Sequence, residues 1–155
     1  MAHIYTAGIH WSLDGTDFAA NGYSRGHVWR FDGGVEVPAS SSPSIVPLPH
    51  SVEAAVDPEE AFVASLSSCH MLWFLDFARQ AGHVVTSYDD AADGELKRDG
   101  ERKLAITSVT LRPHAVFAGD APDMAALTEL HHKAHEACFI ANSVKTEIWI
   151  EPRTS

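Results

Sequence analysis

Residues 57–82 read DPEEAFVASLSSCHMLWFLDFARQAG, and this stretch decides the fold. Asp57 suits an N-cap, Pro58 fits the first helical position, and Glu59 and Glu60 favour the positive end of a helix dipole. Gly82 is a natural stop. Between these signals the apolar residues fall on nearly every face. A helix of that kind is expected to lie buried in the middle of a fold. Cys69 sits inside it.

Working outward, His3–Trp11 and Gly26–Phe31 carry the β-branched and aromatic residues of strands. Asp32-Gly33-Gly34 is a turn, and Val35–Val37 resumes a strand, giving a hairpin. The Ser- and Pro-rich segment 38–49 reads as a loop leading into the helix. Downstream, Val84–Leu96 and Lys103–Phe117 read as two long antiparallel strands about a turn at Asp99-Gly100. A second helix is expected from Met124 to about Ala137, opened by Pro122 and Asp123, with Leu127, Leu130 and Ala134 on its apolar stripe. Thr146–Ile150 reads as a last short strand. Strands grouped in this way, rather than alternating with helices, predict an α+β fold with a central helix packed on antiparallel sheet.

The chain has 155 residues, 45% hydrophobic, which suits one domain spanning 1–155. Its net charge of -10 argues against nucleic acid or an anionic membrane as partner. Lys97, Arg98, Arg102 and Lys103 flank a turn and read as a solvated hairpin tip. The start MAHIYTAGIHW lacks the pattern of a secretory signal, and the uninterrupted apolar run Met71–Phe74 is too short to span a bilayer. A cytoplasmic location with reduced thiols is the expectation. No Gly-x-Ser-x-Gly, Walker loop or Gly-x-Gly-x-x-Gly occurs.

The two cysteines, Cys69 and Cys138, lie far apart and outside any Cys-x-x-Cys loop. That usage points to redox chemistry rather than a disulfide scaffold. Ser67, Ser68 and His70 surround Cys69 with polar groups in an apolar helix. A nucleophilic thiolate needs a nearby cation, and arginine serves because it stays charged when partly buried.

The segments DPEEAFVASLSSCHM, AHEACFIANSVK and YSRGHVWRFDGG (residues 23–34) together resemble the OsmC/Ohr family of osmotically inducible and organic-hydroperoxide-resistance proteins. The resemblance runs from about Ile9 to Trp149. It implies an intertwined homodimer with the site near the subunit interface, and a thiol-dependent peroxidase that reduces organic hydroperoxides to alcohols. By the same resemblance Cys69 matches the peroxidatic cysteine and Cys138 the resolving one. Arg25 matches the arginine that steadies the thiolate, and Glu59 the glutamate that holds it. The implied reductant is a dithiol such as dihydrolipoamide or a lipoylated protein, with no cofactor. His70 departs from the organic-hydroperoxide branch, where an aromatic or apolar residue more often follows the cysteine.

Glu59 and Cys69 stand ten residues apart, about 15 Å along a straight helix. Either the helix bends or restarts near Ser67-Ser68, or Glu59 reaches the thiol only through Arg25. Arg30 is the rival cation; it lies on the opposite face of any continuous strand and beside the turn, where solvent reaches it. The ten histidines offer a second reading. His131, His135 and Cys138 share one helical face at zinc-ligand spacing, which would suit a metal-binding or thiol-sensing module without turnover.

Overall fold

A computed structural model of the chain describes residues 1–154. The strands β1 (Ala7–His10), β2 (His27–Phe31) and β3 (Glu36–Ala39) precede helix α1 (Pro58–Gln80). Four strands follow, β4 (Val84–Asp90), β5 (Asp93–Arg98), β6 (Leu104–Leu111) and β7 (Pro113–Ala118). Helix α2 (Met124–Ala137), a 3-10 turn at Ala141–Ser143 and strand β8 (Glu147–Ile150) complete the order. The fold is α+β, and α2 occupies the expected residues.

Two compact units divide the chain, Met1–Ala61 and Phe62–Ser155, with the boundary in the first turn of α1. In the first unit β2 is the middle strand of an antiparallel sheet ordered β1-β2-β3. The helix start forms a capping box. The Glu60 amide donates to Asp57 Oδ1 at 2.8 Å, and Glu60 Oε2 accepts from the Asp57 amide at 3.2 Å. Each satisfies a donor that the first turn of a helix leaves unpaired.

In the second unit, each of the two long strands is broken. β4 pairs with β7 in one sheet, while β5 pairs with β6 in another. The break lies at Arg112-Pro113. Pro113 has no amide hydrogen for the ladder, and the preceding amide, Arg112, donates to Asp90 Oδ1 at 2.6 Å instead. The Arg112 guanidinium then bridges to Asp93 and, at 3.4 Å, to Glu151. A second difference lies at β8, which joins β6 in parallel, with Ser108 opposite Glu147 and Leu111 opposite Ile150. The sheet β5-β6-β8 is therefore mixed.

Helix α1 bridges two core clusters. Leu66 packs with Val109 and Leu111 of β6, and Phe74 and Ala78 pack with Leu130 and Ala134 of α2. Strand β5 approaches α1 so closely that a Cβ on Gly94 would stand 2.7 Å from Val63 Cγ2; only glycine fits there without a shift. The expectation of a helix buried all round is corrected. Its buried positions are Leu66, His70, Phe74 and Ala78, one stripe at four-residue spacing, while Leu72 on another face is 61% exposed. One chain supplies packing partners for one side of α1 only. By length and composition α1 also matches a membrane span, which the four-residue run Met71–Phe74 did not suggest. Its buried stripe, packed on α2 and β6, is that of a core helix.

Candidate functional site: two thiols and a histidine pair

Both cysteines are free thiols. Cys69 lies in the fourth turn of the uninterrupted α1, half-buried; Cys138 is the C-cap of α2 and is buried. Although 69 residues apart in sequence, the two thiols lie against each other. Burial, with the nearby Cys69 thiol adding to it, pushes the Cys138 thiol up to about 11. The Ala141 amide donates to Cys138 Sγ at 3.4 Å and opposes this only in part. Cys138 therefore keeps its proton at neutral pH.

Aromatic side chains flank the pair. Trp73, one turn beyond Cys69, meets Phe139, next to Cys138, edge-on with centroids 5.5 Å apart. Trp73 also stacks on Phe77 at 5.7 Å. Phe74, by contrast, is fully buried and belongs to the core. Ser67 does not turn to the thiol; its hydroxyl donates to Asp90 Oδ2.

Arg25 and Glu59 both belong to the first unit. The Arg25 guanidinium donates to the Tyr23 carbonyl and to Asn21, and its Cζ lies 3.8 Å from the centre of the Tyr23 ring. Among the described residues it makes no ion pair with Glu59. Arg30 pairs with Glu36 across β2 and β3 at 2.6 Å, and both side chains are more than half exposed, as its place beside the turn suggested. α1 runs unbroken through Ser67-Ser68, so the helix does not restart there.

The histidines do not form the metal face that their spacing offered. Among the described residues, no group of three or more His, Cys, Asp or Glu side chains converges to hold a metal ion. The physical reason is that His131 turns to His70. Its Nδ1 lies 3.0 Å from His70 Nε2, with both residues buried and the rings 5° from parallel. His131 also stacks on Phe74, centroids 4.3 Å apart. Burial, and then the charge that His131 and His135 would carry, hold His70 down at about 3; burial alone holds His131 at about 4. The pair is neutral at pH 7. The pair was not legible in the sequence, since nothing local to either residue signals a partner 61 positions away.

Fold and site together define an α+β protein with two adjoining reduced thiols, one half-exposed on a central helix and one buried. The chain belongs to the OsmC-like protein family, whose model matches residues 50–153. An OsmC-like protein of unknown function from Vibrio cholerae is 50% identical, with 98% of this chain and 100% of that chain covered and a TM-score of 0.96. An organic hydroperoxide resistance protein OsmC from Legionella pneumophila shares the fold at 15% identity, 99% of each chain covered and a TM-score of 0.74. The organic hydroperoxide resistance protein OhrB of Bacillus subtilis does so at 18% identity, covering 96% of this chain and 98% of its own, with a TM-score of 0.68. No curated protein sequence matches.

Proposed function

We propose that this protein is a cysteine-based peroxidase that reduces organic hydroperoxides and serves in oxidative stress defence. The observation that carries the proposal is the contact between a half-exposed Cys69 and a buried Cys138 that keeps its proton. The Cys69 thiolate attacks the hydroperoxide O–O bond. One oxygen becomes the Cys69 sulfenic acid, and the other leaves as alkoxide and takes a proton to give the alcohol. The Cys138 thiol then condenses with the sulfenic acid, forming the disulfide and releasing water. A dithiol such as dihydrolipoamide, free or on a lipoylated protein, restores both thiols by exchange and is itself oxidised to a disulfide.

Arg25 is the proposed cation for the Cys69 thiolate, and Glu59 its proposed anionic partner. The Trp73–Phe139 pair supports alkyl or aryl hydroperoxides over small, strongly hydrated ones. We also propose a cytoplasmic homodimer. Support comes from the apolar side chains that a single chain leaves exposed, among them Ile9, Leu72, Phe139 and Trp149, more than scattered surface residues require.

The test is intact-mass measurement after one equivalent of cumene hydroperoxide, with cumyl alcohol followed in parallel. Wild type is expected to yield the alcohol and lose two hydrogens. Cys138→Ser is expected to gain one oxygen, and Cys69→Ser to do neither. Turnover retained in Cys69→Ser would sink the proposal.

A further inference from the structure

Among the described residues, His70–His131 is the one side-chain hydrogen bond joining α1 to α2. It lies in the cluster where Phe74, Ala78, Leu130 and Ala134 are otherwise apolar. His70 directly follows Cys69, and His131 lies two helical turns before Cys138 on the same face of α2. Apolar contacts tolerate sliding; a buried hydrogen bond between two rings has one register. We propose that His70 and His131 are a positioning pair that fixes α2 against α1 so that the Cys138 sulfur meets the Cys69 sulfur.

The unpartnered, buried Nδ1 of His70 assigns the proton. A buried bare lone pair costs less than an orphaned N–H. His70 Nε2–H is therefore the donor and His131 Nδ1 the acceptor. A slip of α2 by one turn moves its residues about 5.4 Å along the axis, more than twice the width of the window, about 4.4–6.8 Å between Cα atoms, in which a disulfide forms. The inference rests on the proposed disulfide chemistry for its purpose, but its test involves no peroxide.

The full chain is equilibrated with mixtures of oxidised and reduced dithiothreitol, and the Cys69–Cys138 disulfide is quantified by thiol trapping. In the exchange, the two protein thiols give two electrons and two protons to oxidised dithiothreitol, which becomes the dithiol. The double variant His70→Leu/His131→Leu replaces the bond with apolar volume and is expected to fold, since exchanging both partners of a buried polar pair is often neutral. Its disulfide equilibrium constant is expected to fall at least tenfold, about 30 mV in potential. His131→Asn keeps an acceptor in the place of Nδ1 and is expected to stay within threefold of wild type. A folded double-leucine variant with the wild-type constant, or an Asn variant that falls as far as the leucine pair, overturns the inference alone. Wild type that forms no disulfide at any ratio overturns it together with the proposed resolving step.

A second readout needs no variant. In ¹⁵N-labelled protein, one His70 ring N–H is expected to exchange slowly with solvent and to be shared with His131. Exchange at the rate of a free imidazole overturns the inference whatever the variants do.

Discussion

At the scale of single residues, the two thiols differ in environment rather than in chemistry. Both are cysteines on or beside a helix, yet burial and the contact with Cys69 raise Cys138 to about 11. The thiolate is the reactive form, so Cys138 is silent until the pH approaches that value or its surroundings open. Iodoacetamide at pH 8 is expected to alkylate Cys69 and leave Cys138 unmodified in the folded protein, with both labelled once the chain is unfolded in urea. Peptide mass spectrometry reads this directly, and equal labelling of the folded protein would contradict the assignment. The sequence showed both cysteines, and the family resemblance implied the order of action proposed for them. It did not show which one is shielded, because burial depends on how α1 and α2 pack, and Cys69 and Cys138 stand 69 residues apart.

At the scale of elements, the helix starts were legible because they are local. Asp57 caps α1 as expected, its amide and Glu60 completing a reciprocal pair, and the Asp123 side chain accepts from the Ala126 amide at 2.8 Å at the start of α2. The broken strands were not legible, because the break depends on Asp90 capturing the Arg112 amide, a contact across 22 residues. The same separation in sequence hid the histidine pair, whose energetic signature is acid sensitivity. His70 and His131 titrate near 3 and 4 in the folded chain and near 6.5 when unfolded. Below pH 6.5 the unfolded chain thus binds protons that the folded one refuses. Their stabilisation is complete above that value and is lost as the pH falls towards 4. His135 faces His70 and adds to the repulsion once protonated. Between pH 6.5 and 4.5 the loss is expected to be on the order of 2–5 kcal/mol. Urea titrations across this range check it, and the double-leucine variant is expected to show a shallower pH slope. An unchanged slope would place the acid sensitivity elsewhere.

At the scale of the molecule, the apolar composition of α1 and its single buried stripe disagree. The sequence predicts a helix covered on all sides, and the chain covers one. The proposed homodimer would cover the open side. Sedimentation at micromolar concentration is expected to give twice the 16.8 kDa chain mass. Leu72→Glu, which places a charge on the uncovered face of α1, is expected to shift the protein towards monomer; a wild-type monomer would refute the dimer. This surplus of apolar surface was visible in the sequence, but its direction was not. Which face of an all-apolar helix is left open depends on where α2 and β6 settle.

The parallel pairing of β6 with β8 also sets an order of events. β6 is the middle strand of its sheet, and its second neighbour is the final strand, made after β7 and α2. Until β8 arrives, β6 presents a row of unpaired amides and carbonyls, the kind of open edge that recruits strands from other chains. The hairpin β5–β6 forms by local contacts, whereas closure of the sheet waits for a contact across about 40 residues, such as Ser108 with Glu147, and long-range pairings of this kind are slow. During synthesis the chain is therefore most exposed to misassociation in the interval between emergence of Leu111 and emergence of Ile150.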